Sequence, residues 1–410
     1  MHEVRISRSL DSLGLWASVA LGFSIPISVA FDNLLLVMVA ICWIFSGNYR
    51  CKWTSVSQNP VSVMALFLFG LLALGLFASD QPIRESVNIL LKYSDLLFIP
   101  LFAYYFREQK YRQRALYAFG ISMGVILTLS YFLKTGVIGP TGLLRGSEQS
   151  PVVFKFRVTH NYFMAFGAFT FTWLALNAPK KSVMRAVFGG AAILACANVV
   201  FMVAGVTGYI TLAALAAWAM ASLLPRRLAL GGLVATTMGI IVLLNVPSTI
   251  SNRVESLGRE FNAWSPGVAQ RDSSAGLRLE FWDNTLKVIV DNPILGVGTG
   301  AFASAYAEKV LGTDMVPATN PHNEYLMITA QIGLLGLVTM ITLLVSQWRA
   351  APLLASPMER NLARGLVLAM SVGCIFNSFL LDHAEGLFYA WLSGLLFAGL
   401  PGKKTTGISS

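Results

Sequence analysis

Apolar stretches close to the length of a bilayer crossing recur along this chain from one end to the other, and no other feature restricts its fold as far. A helix that spans a bilayer needs about 20 consecutive apolar residues. Stretches near that length run over Leu13–Ala30, Phe31–Phe45, Val61–Ala78, Tyr93–Phe106, Ala115–Leu133, His160–Leu176, Ala186–Ala204, Tyr209–Leu224, Leu228–Val246, Asn323–Ser346, Leu362–Leu380 and Gly386–Leu400. That makes about twelve, with the Phe31 and Tyr93 stretches short for a crossing. Only 12% of the 410 residues are charged, against about 25% in a soluble domain. The expected fold is therefore an all-α polytopic membrane protein of about twelve transmembrane helices, with one large, partly helical loop. The first stretch follows Arg5 and Arg8 and closes on Ser28-Val29-Ala30, in the manner of a signal peptide. The next apolar stretch follows at once, so it is read as a retained helix.

Basic residues collect on the cytoplasmic side of membrane proteins and so set the orientation. With the N-terminus inside, the inner segments carry Arg5, Arg8, Arg50, Lys52, Arg107, Lys110, Arg112, Arg114, Lys180, Lys181, Arg185, Arg226, Arg227, Arg349, Arg360, Arg364, Lys403 and Lys404, which is 18 of the 30 basic residues. Both termini come out cytoplasmic. The net charge of +10 is then no sign of nucleic-acid binding. Cys42, Cys196 and Cys374 fall in apolar stretches and Cys51 in an inner loop, so neither a disulfide nor a thiolate metal site is expected.

Two outer segments are long. Lys134–Thr159 is glycine-rich and carries Arg145, Lys155 and Arg157. Pro247–Pro321 alone is large enough for a subdomain, which divides the chain into 1–246, 247–321 and 322–410. Within it, Leu279, Trp282, Leu286 and Ile289 follow helical spacing among polar neighbours, which predicts an amphipathic helix ending at Asp291-Asn292-Pro293. Gly296-Val297-Gly298-Thr299-Gly300 follows; its spacing is not GxGxxG and no strand precedes it, so a structural turn is expected over a phosphate cradle. A short helix is expected from Ala301 to Val310. Pro82–Tyr93 places Ile83, Val87 and Leu90 on one face, with Arg84 and Lys92 elsewhere, and reads as an interfacial helix. Its charges fit a headgroup anchor as well as a catalytic role.

The run Asn320-Pro321-His322-Asn323-Glu324-Tyr325-Leu326 opens a late apolar helix. Asn caps helices and Pro suits their first turn, which would put His322 among free N–H groups at the positive end of the helix dipole. A neutral imidazole beside an anion site suits a general base; a capping, interfacial histidine is the other reading. His160, His322 and His383 all map to outer helix ends, as do Asp382 and Glu385. Arg84, Lys92, Arg145, Arg157, Arg253, Arg259, Arg271 and Arg278 share that side. Guanidinium grips phosphate oxygens bidentately, so an anionic, phosphorylated ligand is inferred at the outer surface. Pairing of individual arginines with Glu148, Glu255, Glu260, Asp272 and Glu280 is the alternative. There is no Asp-x-Asp, HExxH, Cys/His cluster or Walker loop, so no metal or nucleotide cofactor is expected. The scarcity of ionisable residues at span centres argues against an ion-coupled transporter.

From Arg253 to Leu337 the chain resembles the O-antigen ligase superfamily of polytopic glycosyltransferases. The resemblance is carried by the Arg278-to-Trp282 helix start, by Asp291-Asn-Pro-Ile-Leu-Gly-Val-Gly-Thr-Gly-Ala-Phe302, by Pro321-His-Asn-Glu-Tyr-Leu326 and by Gln331-Ile-Gly-Leu-Leu-Gly336. It implies a GT-C-like enzyme of the Gram-negative inner membrane, acting on the periplasmic face without metal. Such an enzyme moves O-antigen from undecaprenyl diphosphate to lipid A–core with inversion. By matching position, His322 is the expected base and Arg278 a diphosphate-binding residue. Asn323 and Tyr325 follow, with Arg84, Lys92, Arg145, Arg157, His160, Arg271 and His383 as further substrate-binding candidates. The family often carries arginine at the outer turn where this chain has Gly205-Val206-Thr207-Gly208, so Val206 marks a departure. An O-antigen polymerase, a ligase with a protein acceptor, a lipid-linked glycan flippase and a non-catalytic scaffold are the alternatives.

Overall fold

The computed structural model describes residues 2–225, 227–228, 231, 249–265, 267–269 and 274–400. Among them the secondary structure is helical, without a strand. Among the described residues six helices, some of them two segments run together, are long and apolar enough to cross a membrane: Pro60–Ala78, Ile83–Tyr105, Gln109–Lys134, Val183–Met202, Val206–Leu223 and Glu324–Leu353. Val29–Phe45 and Tyr49–Ser57 meet at 115° and make a seventh if taken together. Helices also form at the other expected positions, over His2–Ser24, Arg157–Asn177, Pro357–Phe376 and His383–Phe397. The expected stretch at Leu228–Val246 falls almost wholly outside the described residues.

The first boundary differs from expectation. The chain does not continue helical from Leu13 to Ala30: the helix stops at Ser24, and a new one starts at Val29, with Ser28 Oγ accepting the Phe31 N–H at 3.3 Å. Pro26 sits in the break, where its ring and missing N–H exclude a continuous helix. The Arg157–Asn177 helix is enclosed over most of its length, and His383–Phe397 almost completely. Phe119, Phe163, Phe166, Phe388 and Trp391 pack between them, Phe388 lying 5.2 Å from each of the three other phenylalanine rings, centroid to centroid.

Contacts sort the helix ends into two sets. At the ends read as inner, Arg112 pairs with Glu359 at 2.8 Å in a buried ion pair, Asn59 Nδ2 donates to Phe397 O at 3.1 Å, and Trp218 Nε1 donates to Asn361 Oδ1 at 3.1 Å. At the ends read as outer, Tyr93 meets Glu324 and Thr207 meets Asn377. No described contact among these joins an inner end to an outer one.

The long loop contains the expected helices at Ser274–Asp291 and Phe302–Val310, and a further helix at Thr249–Ala263. Ser274–Asp291 packs on Glu324–Ala350, which also contacts Pro60–Leu74 and Pro357–Phe376. The glycine run between the two loop helices is a strap. Val297 N donates to Ala330 O at 2.9 Å, Gly298 N to Gln331 O at 2.9 Å, Thr299 N to Gly75 O at 3.0 Å and Gly300 N to Gln331 Oε1 at 3.1 Å. Its N–H groups are thus occupied by protein acceptors, as a structural turn requires and a phosphate cradle does not allow. The strap fits because Glu324–Ala350 is broken at Ile332 and Gly333. Gly333 has φ 66° and ψ −167°, a conformation open in practice only to glycine. The broken ladder is repaired from the strap, with Leu334 N donating to Pro293 O at 2.8 Å.

Candidate functional site

His322 does not lie in a first helical turn. The helix begins at Glu324, with Asn323 as its cap: Asn323 Oδ1 accepts the Leu326 N–H at 3.1 Å. Asn320 and Pro321 therefore precede the cap instead of forming it. Asn323 competes better for that place because its side chain meets the helix N–H, whereas Asn320 Oδ1 is engaged elsewhere. It accepts the His322 N–H at 2.8 Å and the Ser378 hydroxyl at 2.7 Å. These bonds hold His322 at φ 53°, one of three non-glycine residues with positive φ among those described. Backbone held in that region by its surroundings is common where a side chain must be aimed.

The loop helix supplies the other wall. Trp282 Nε1 donates to Pro321 O at 3.0 Å. The Phe281 ring lies 6.2 Å from the His322 ring, tilted by 30°. Arg278 lies one turn earlier on that helix and acts electrostatically on His322. His322 keeps an exposed edge. The surrounding protein desolvates its imidazole and Arg278 adds like-charge repulsion, and together they push its pKa below the ordinary 6.5. Among the described residues no hydrogen bond to its ring nitrogens is present. The site thus offers an imidazole whose neutral form is favoured by burial and by the nearby Arg278 guanidinium.

Behind His322 stands a buried network. Glu324 is fully enclosed; its Oε2 accepts the Leu380 N–H at 2.8 Å and the Leu381 N–H at 3.4 Å, and its Oε1 accepts the Tyr93 hydroxyl at 3.2 Å. Gln331 Nε2 donates to the same Tyr93 oxygen at 3.0 Å. Tyr325 donates to Ser371 O at 3.0 Å. Val206 opens the Val206–Leu223 helix and is half-buried. The next residue, Thr207, accepts from Asn377 Nδ2 at 3.3 Å, and Ser378 then reaches Asn320. Val206 is thereby brought to the segment that holds His322.

The other candidates have separate surroundings. His160 is buried, its Nε2 3.2 Å from Asn198 Oδ1, in a network that continues to Ser130. His383 Nε2 lies 3.9 Å from Asp32 Oδ2. The Arg145 guanidinium sits over the Phe156 ring at 4.4 Å, and Arg157 is exposed at its helix start. Arg84 and Lys92 are exposed on the amphipathic helix Ile83–Lys92, with Lys92 acting on Asp382. Arg271 lies outside the described residues. Sequence reasoning missed Phe281, Ser378 and the part played by Glu324. Phe281 sits three residues from Arg278, the only hint of its position; the link from Ser378 to Asn320 spans 58 residues and left no local trace.

Residues 191–341 match the sequence model of a family described as O-Antigen ligase. A stretch of 120 residues is 23% identical to an uncharacterized protein of Haemophilus influenzae, covering 27% of this chain and 30% of that protein. The chain thus spans less than a third of that relative's length. The matched residues 191–341 contain Arg278, the glycine strap, His322 and the broken helix, and the match supports membership of the O-antigen ligase superfamily.

Proposed function

We propose that this protein is a periplasm-facing glycosyltransferase of the Gram-negative inner membrane that joins O-antigen from undecaprenyl diphosphate to lipid A–core. In this reading twelve helices cross the membrane, both termini are cytoplasmic, and residues 247–321 cover the site from the periplasm between membrane units 1–246 and 322–410. The observation that carries it is the exposed His322, held at positive φ near Arg278 within the segment that matches the O-antigen ligase model.

His322 takes the proton from the acceptor hydroxyl, a contribution of about 10²–10⁴-fold for a well-placed base. The acceptor oxygen attacks the anomeric carbon opposite the diphosphate. The bond from carbon to diphosphate oxygen breaks, its electron pair leaves with undecaprenyl diphosphate, and the anomeric centre inverts. Arg278 neutralises the charge that grows on the leaving group. The leaving group is good without protonation, so neither general acid nor metal is invoked.

The test is reconstitution with lipid-linked O-antigen and lipid A–core, in chelator, assayed for the joined product. Parent activity with loss in His322→Ala supports the reading. Product made only from two donor molecules would assign a polymerase, and product on protein an O-oligosaccharyltransferase. Activity restored by one specific metal would contradict the metal-free step.

A further inference from the structure

Three segments distant in sequence meet at one buried carboxyl group that the proposed chemistry does not use. Glu324 is wholly enclosed, and a buried carboxylate is tolerated only where hydrogen bonds replace water. Its Oε2 receives the Leu380 and Leu381 N–H groups, and its Oε1 the Tyr93 hydroxyl. The first pair fixes the start of the segment Ser378–Asp382, whose Ser378 hydroxyl donates to Asn320 Oδ1 at 2.7 Å. That same oxygen accepts the His322 N–H at 2.8 Å. The second bond runs the other way. Tyr93 terminates the Ile83–Lys92 helix, which bears Arg84 and Lys92, and Gln331 ties Tyr93 to the glycine strap through Gly300 N at 3.1 Å.

We propose that Glu324 is a positioning residue: it registers the His322 loop against the amphipathic helix Ile83–Lys92, so that engagement of a diphosphate by that helix and aim of the base are set by one carboxylate. The proposal rests on the glycosyltransferase reading above, but its geometry does not. Glu324 touches no reacting atom. It acts through Leu380, Ser378 and Asn320 on one side and through Tyr93 on the other. Misplacing a catalytic group by about 1 Å can cost roughly 100-fold.

The test uses the full-length protein with Glu324→Ala, Glu324→Gln and Tyr93→Phe. The first readout is transfer. Glu324→Ala should lower kcat by roughly 10–100-fold with little change in donor KM. Glu324→Gln retains an oxygen for the two backbone N–H groups and should recover most of the loss. The second readout needs no activity: the pH midpoint of diethyl pyrocarbonate modification at His322, resolved by mass spectrometry from the chain's three other histidines. In Glu324→Ala the loop relaxes from Phe281 and Arg278, and the midpoint should rise toward that of an ordinary histidine. An unchanged midpoint in folded Glu324→Ala overturns the proposal, as does a loss confined to KM. If Glu324→Ala does not fold, Tyr93→Phe decides by the same two readouts, a raised midpoint supporting the proposal and an unchanged one ending it. A parent protein that transfers no glycan would defeat the glycosyltransferase reading alone, because the midpoint still reports the positioning.

Discussion

Trp282 Nε1 donates to the backbone oxygen of Pro321, 3.0 Å away, and so ties the loop helix to the residue just before His322. Arg278, Phe281 and Trp282 are spaced i, i+3 and i+4, which places cation, ring and clamp on one helical face. The Trp282 bond seats the loop helix against the residue before His322, with the Phe281 ring as its apolar support.

Trp282→Phe keeps the aromatic bulk and removes that donor. A neutral hydrogen bond is worth about 0.5–1.5 kcal/mol, or roughly 2–10-fold in rate if it is realised in the transition state. Transfer should fall within that range while the purified variant keeps the parent's melting behaviour. No change in rate would mean that packing alone seats the helix.

The pH dependence of transfer follows from His322. A base works in its deprotonated form, so activity is present above its pKa and lost as pH falls through it. Burial and Arg278 hold that pKa below 6.5, so transfer should stay flat through neutrality and fall only on further acidification. Arg278→Gln removes the like charge and should move the acid limb upward, toward neutral pH, as well as lowering the rate. An acid limb that stays in place in that variant would exclude Arg278 as the neighbour that tunes the base.

The helical class, the loop helices and the role of the glycine run were legible because each rests on local pattern: apolar length, 3.6-residue spacing, and glycines without a preceding strand. The start of the Glu324 helix was misread by three residues. Asn320-Pro321 carries a local capping pattern, but Ser378 and the His322 N–H claim the Asn320 oxygen, and Asn323 takes over the cap. That choice is decided by a partner 58 residues away, which local pattern does not encode. The break at Gly333 was hidden for the same reason: an apolar run reads as unbroken until the strap from Pro293 to Gly300 supplies the missing bonds.

Gly333→Ala tests that strap. A Cβ at Gly333 would strike the Ile294 carbonyl, and a backbone conformation of this kind costs a non-glycine residue roughly 1–3 kcal/mol. The variant should melt clearly below the parent in detergent, or fail to accumulate. A variant as stable as the parent would show that the helix can close over the break without the strap.

The sidedness of the molecule is open to a direct chemical test. The distribution of basic residues predicts that Ser265 lies outside and Ser182 inside. Cysteine introduced at Ser265 should react with an impermeant thiol reagent in cells with an intact inner membrane, while cysteine at Ser182 should not. The reverse pattern would end the periplasmic reading.

If the diphosphate is also gripped at the outer turn before the Val206–Leu223 helix, Val206 limits how strongly it is held. It is the first residue of its helix, half-buried, and its neighbour Thr207 is linked through Asn377 and Ser378 to Asn320. A long side chain at this position starts on the same connected segment as His322, and valine offers an anion no donor. A charge-assisted hydrogen bond is worth about 1.5–3 kcal/mol, roughly a tenfold to hundredfold change in rate if formed mainly in the transition state. Val206→Arg should therefore raise transfer, and the parent chain should be a weak catalyst. The rival view gives the role to Arg84, Arg145 or Arg157. All three are exposed, and Arg145 is laid over the Phe156 ring. If one of these already neutralises the diphosphate, the added arginine brings only like-charge repulsion. Assaying both forms at matched expression separates the two, and equal or lower activity in Val206→Arg would place the diphosphate away from this turn.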